Sequence, residues 1–183
     1  MHHSLRVYSR YRELFLRYYI FQAKWTRLPL VGGLVRKVAN RYGRTMSGAY
    51  LLTTDEANEV VDRSEGLAVG PCTCRSVFKN CDKPVGTEIM LGLDRNVFIE
   101  QRPHDYREIT KLEAKEILRQ CHQMGLIHTI VRCRDNFYAI CNCCSCCCVP
   151  LRLSKKYGIG AALTRSPLIV NELKAGVASD SAT

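Results

Sequence analysis

Six cysteines fall within eight residues, at Cys141, Cys143, Cys144, Cys146, Cys147 and Cys148, and an earlier group holds Cys72, Cys74 and Cys81. Thiolate is a soft ligand, and closely spaced thiolates coexist only when a cation offsets their mutual repulsion. The two groups therefore read as nine candidate metal ligands. Four satisfy one cubane cluster, which leaves a surplus for a second cluster, a non-cubane cluster or redox-active thiols. Eleven cysteines in all, an odd number with several directly adjacent, are poor material for a disulfide framework and point to a reducing cytosol. Cys121 falls mid-helix and Cys133 on a strand, so both are expected as packed small apolar residues.

The neighbours of these cysteines fit a charged centre. Arg75 follows Cys74, and Arg132 and Arg134 bracket Cys133. Guanidinium groups there would offset thiolate-bound iron and raise its potential, with solvated surface charge as the alternative. His128 lies in an apolar stretch and reads as a hydrogen-bonded core histidine, with a ligand or proton-donor role as the alternative.

The runs Gly70-Pro71-Cys72-Thr73-Cys74-Arg75, Cys81-Asp82-Lys83-Pro84, Gly125-Leu126-Ile127-His128 and Ile140-Cys141-Asn142-Cys143-Cys144-Ser145-Cys146-Cys147-Cys148 resemble those of a family of ferredoxin-type iron–sulfur proteins from anaerobic bacteria and archaea. The resemblance covers roughly residues 50–150 and implies a [4Fe–4S]-type cofactor and electron transfer. Many members continue into a ferredoxin domain, whereas no cysteine follows Cys148 here. Members also carry a cysteine where this chain has Glu88, which makes Glu88 a candidate additional ligand. Two rival readings of the thiolates stand beside this one. The first is a zinc- or copper-binding thiolate protein, although metal-storage peptides lack the apolar elements seen here. The second is a cluster-containing reductase, for which the sequence supplies no Gly-rich nucleotide loop, Ser/His/Asp constellation or recognisable substrate pocket. An electron carrier is expected rather than a catalyst.

The charge lies elsewhere. Residues 1–44 hold ten basic side chains and one acid, Glu13, so +9 of the chain's +10 belongs there. In the same stretch Val7, Tyr11, Leu14, Tyr18, Phe21 and Trp25 recur at spacings of four and three, which predicts an amphipathic helix. Arg6, Arg10, Arg17 and Lys24 flank that stripe. Such a helix suits an anionic membrane surface on the cytoplasmic side, and packing onto the domain or onto a second copy of the chain is the alternative. Nucleic acid ranks last, since no pattern of a nucleic-acid-binding fold accompanies the arm. No apolar run reaches the length of a transmembrane helix, and no secretory signal pattern is present.

The remaining elements must position the cysteines. A second short helix is expected over Leu34–Tyr42. Thr53 to Glu56 has the form of a capping box and predicts a helix over about 54–64, followed by a strand at Leu67–Val69. Thr110 to Glu113 predicts another helix to Met124, with Gly125 as its stop and a strand over Leu126–Val131. Aligned, these passages look like an internal repeat that would bring both cysteine motifs to comparable positions after two strands. Glu88–Leu91, Asn96–Glu100 and Phe137–Ile140 read as further strands. The expected class is α+β, with capped helices and short strands around a cysteine-bound cluster. Its expected parts are a basic amphipathic arm (1–48), a cluster-binding domain (49–153), and a small helical segment with a disordered tail (154–183).

Overall fold

A computed structural model describes residues 2–45, 47–133, 136–166 and 171. Seven strands form one sheet, β1 (Ser47–Leu51), β2 (Leu67–Pro71), β3 (Gly86–Leu91), β4 (Arg107–Ile109), β5 (Ile127–Cys133), β6 (Asn136–Cys143) and β7 (Leu163–Thr164), in the order β4-β2-β3-β6-β5-β1-β7. Neighbours are antiparallel except β1 and β7. The helices are α1 (His2–Ala23), α2 (Gly32–Thr45), α3 (Thr54–Arg63), α4 (Thr73–Phe78), α5 (Asp94–Gln101), α6 (Lys111–Gln123) and α7 (Val149–Tyr157). The class is α+β, as the sequence predicts.

Both caps form. Thr53 Oγ1 accepts from the Glu56 backbone N–H at 3.2 Å while Glu56 accepts from that of Thr53 at 2.8 Å, and Thr110 Oγ1 accepts from the Glu113 N–H at 3.2 Å. The two capped helices belong to two units of one topology, β1-α3-β2-β3 and β4-α6-β5-β6. Exchanging the units reproduces the strand order of the six strands other than β7, because each lends its first strand to the other: β1 pairs with β5, and β4 with β2. The units meet at the β3–β6 pair. This pseudo-twofold arrangement gives the helix–strand repeat a structural basis.

Sheet alternation divides the core. Ile89, Leu91, Ile130 and Ile140 face α3 and α6, packing on Val60, Val61 and Leu118. Ala68, Met90 and Ala139 point the other way, towards Leu5 of α1, Phe98 of α5, Tyr106 and Tyr138. The stretch Asn96–Glu100, expected as a strand, lies instead within α5. A strand would send Val97 and Phe98 to opposite faces, whereas a helix buries both, and the Phe98 ring stacks on that of Tyr138 at 6.0 Å.

The arm is helical, but it is part of the same body. Helix α1 packs against α4, α5 and α7. Its inward face is Leu5, Ser9, Arg12, Leu16, Ile20 and Ala23, and the stripe read from the sequence faces outward, with Leu14 65% and Trp25 51% exposed. After α7, a 3₁₀ turn at Gly160–Ala162 leads into β7, so the segment after 154 adds a strand beside β1. The expected tail Ala175–Thr183, and Leu168–Leu173 apart from residue 171, lie outside the described residues.

Candidate metal centre

The cysteines meet because of strand direction. Strands β2 and β6 flank β3 and both run antiparallel to it, so their C-terminal ends lie at one edge of the sheet. From β2 the chain passes through Cys72, α4 with Cys74, and the loop bearing Cys81; from β6 it passes through Cys141 and Cys143 into the turn that leads to α7. The repeat does not place the two motifs equivalently, contrary to expectation. One follows β2, the second strand of its unit, and the other follows β6, the third. Edge geometry alone brings them together.

Cys81, Cys144, Cys146 and Cys147 form a compact set in which all four sulfurs lie within 4.8 Å of one another. Cys81 Sγ is 3.8 Å from both Cys144 Sγ and Cys147 Sγ. Cys144 and Cys147 are buried, while Cys81 and Cys146 are half-exposed. Asn80 holds the turn, its backbone N–H reaching Cys147 Sγ at 3.3 Å and its Nδ2 the Cys146 carbonyl at 3.0 Å. Four convergent thiols of this kind can hold a metal. Thiolate donors suit zinc, copper(I) and iron–sulfur centres, so the donor chemistry fits the expected cofactor class.

The site tunes its thiols unequally. Burial pushes the Cys144 thiol up, but the Cys147 N–H, the Cys146 and Cys81 thiols and the Arg75 guanidinium outweigh it and bring it down to about 6. Cys146 is driven up to about 12, first by desolvation and then by its thiol neighbours. Arg75 is itself buried, donating to the Asn142 carbonyl at 2.7 Å and to Thr87 Oγ1. Asn142 donates from Nδ2 to the Thr87 carbonyl at 2.7 Å, and its Oδ1 lies 2.6 Å from His128 Nδ1. His128, buried and with its pKa lowered chiefly by desolvation, thus braces the segment between Cys141 and Cys143.

The other five candidate ligands lie beside this set. Cys72, Cys74, Cys141, Cys143 and Cys148 line a cavity of about 720 Å³ between α1, α2 and the sheet, which also borders Arg12, Glu88 and Cys144, and Cys74 packs against the cluster that holds Cys144 and Cys147. Cys141 Sγ donates to Glu88 Oε1 at 3.5 Å. Glu88 Oε2 accepts from Arg12 and from the Tyr106 hydroxyl, the latter at 3.2 Å. The Cys74 thiol is held low, first by the Cys148 thiol and, against burial, by the Val149 N–H at 3.4 Å.

Arg132 does not reach the thiols. It lies at the end of the β5–β6 hairpin remote from Cys143, stacks over Tyr50 at 5.6 Å and donates to the Arg44 carbonyl at 2.8 Å. The hairpin's length separates it from the cysteines, so the expected neighbouring role passes to Arg75 alone among the described arginines of that set. Arg134 lies outside the described residues. Cys121 is packed as expected, but against Leu126, Cys144 and Cys147, and burial pushes its thiol up to about 11. No local pattern marks the roles of Arg12, Tyr106 and Asn142, which depend on partners far along the chain.

No protein-family model, no curated protein and no solved structure matches the chain.

Proposed function

We propose that this protein is an iron–sulfur electron carrier whose metal is held by Cys81, Cys144, Cys146 and Cys147. The observation that carries the reading is the convergence of four thiols, drawn from both cysteine segments, within 4.8 Å. When bound, a [4Fe–4S]-type cluster would supply reversible one-electron chemistry. Arg75, fixed by Asn142 and Thr87, places positive charge beside Cys144 and favours the more reduced state. The half-exposed Cys81 and Cys146 give the site an outer side towards a redox partner.

One specific observation favours a second reading. The 3.8 Å sulfur spacings equal the separation of about 3.8 Å expected for a single tetrahedral ion with metal–sulfur bonds of about 2.3 Å. A single zinc ion is therefore the alternative occupant. Anaerobic purification with iron, zinc and acid-labile sulfide analysis separates the two. Iron with sulfide, lost in Cys81→Ser, is the expected result; zinc without sulfide after anaerobic reconstitution overturns the cluster reading.

For docking, the exposed stripe Val7, Tyr11, Leu14, Tyr18, Phe21 and Trp25, with Arg10, Arg17 and Lys24 beside it, suits an anionic membrane surface. No helix among the described residues is long and apolar enough to cross a membrane.

A further inference from the structure

We propose that Cys72, Cys74, Cys141, Cys143 and Cys148 form a second metal centre beside the Cys81 set, a polynuclear iron–sulfur cluster seated in the cavity between α1, α2 and the sheet. The inference rests on the metal reading of the Cys81 set and adds a second site.

Three observations carry it. First, the five thiols share one cavity of about 720 Å³, whose outer wall is apolar, including Leu16, Val35 and Leu153. Second, the Cys81 set is the one group of three or more candidate donor atoms among the described residues that lies within 4.8 Å. The five cavity thiols line a common space without forming such a compact set, although Cys148 meets both Cys74 and Cys143. An inorganic core with several metal atoms bridged by sulfide can take ligands spread around a cavity. Third, the cavity has one unspent positive donor. Arg12 borders it, is 2% exposed, and its Nε has no hydrogen-bond partner. A buried guanidinium with a free N–H suits an anionic occupant such as a thiolate-bound cluster.

The protein groups around the cavity are already set for this. The Val149 N–H at the start of α7 points at Cys74 Sγ, and Thr129 Oγ1 lies 3.4 Å from Cys143 Sγ. Both contacts stabilise bound thiolates by hydrogen bonding to sulfur. Glu88 stands beside Cys141 in the cavity lining as an oxygen donor.

The test uses the full chain, reconstituted anaerobically with ferrous iron and sulfide, and two variants, Cys74→Ser/Cys148→Ser and Cys81→Ser/Cys146→Ser, the latter pair lying outside the cavity lining. Iron, zinc and acid-labile sulfide are counted per chain, and electron paramagnetic resonance is recorded after reduction. Far-UV circular dichroism checks folding, and Cys143→Ala replaces the first variant if that one does not fold. The expected result is loss of the cavity cluster's sulfide and resonance signal in the Cys74/Cys148 variant, with metal retained on the Cys81 set. The Cys81/Cys146 variant should keep that sulfide and signal. Full wild-type sulfide in the Cys74/Cys148 variant overturns the proposal, and so does absence of sulfide from all three proteins. The Cys81 reading fails differently: the Cys81/Cys146 variant would then keep every metal ion of the wild type.

Discussion

Arg12 of α1 and Glu88 of β3 form an ion pair whose side chains are 2% and 7% exposed. Arg12 also donates to the Tyr106 hydroxyl and lies over the Phe98 ring at 5.6 Å. The first helix, which composition marks as a basic arm, is thus anchored through one of its own arginines to the strand that separates the two cysteine segments.

Removing one partner leaves a buried charge unpaired. Glu88→Gln is expected to destabilise the metal-free, reduced protein by about 3–5 kcal/mol in urea unfolding, and Arg12→Met/Glu88→Met to recover most of that loss. Equal instability of the single and double variants would show that the pair does not act as a unit.

Arg75 lowers the Cys144 thiol by its positive charge and hydrogen bond. In Arg75→Met the Cys144 pKa should rise above its value of about 6, so protons compete better with metal at neutral pH and affinity falls. Ultraviolet thiolate titration of the metal-free protein, with metal competition at two pH values, reads both effects. An unchanged titration would remove Arg75 from the site's electrostatics.

Gly70 lies under the Tyr106 ring, and a Cβ there would come within 2.0 Å of Tyr106 Cε1. Gly70→Ala should therefore displace the ring, break its bond to Glu88 and cost about 1–3 kcal/mol. Thermal unfolding beside Gly86→Ala, where a Cβ meets nothing within 4 Å, gives the comparison.

Glu56 closes the α3 cap and accepts from Arg165, which brings its carboxyl down to about 2. A folded pKa below the ordinary carboxylate value means stabilisation that is complete above about pH 4.3 and fades as pH falls towards 2. Glu56→Gln should cost about 1 kcal/mol at pH 7, with the difference from wild type vanishing in acid. A pH-independent difference would assign the effect to packing alone.

The two faces of α1 should separate stability from docking. Leu16→Ala, on the buried face, is expected to cost about 2–5 kcal/mol. Leu14→Glu/Trp25→Glu, on the exposed face, should leave the melting temperature nearly unchanged yet abolish sedimentation with anionic vesicles at low salt. Vesicle binding that survives the second variant would direct the stripe to a protein partner.

What the sequence by itself determined was local. Thr53 with Glu56 and Thr110 with Glu113 set two helix starts through contacts three residues apart. The density of thiols between Cys141 and Cys148 called for metal without reference to any fold. The period of Val7 to Trp25 found a helix, although α1 carries a second apolar series two residues further on, from Leu16 to Ile20 and Ala23, and local spacing ranks neither face. Tertiary structure decided between them, because only the sheet and α5 create the surface on which Leu5 and Arg12 are buried. It also divided the nine thiols. Which cysteine joins Cys81 depends on β2 and β6 running the same way past β3, and strand direction is a property of pairings between residues tens of positions apart.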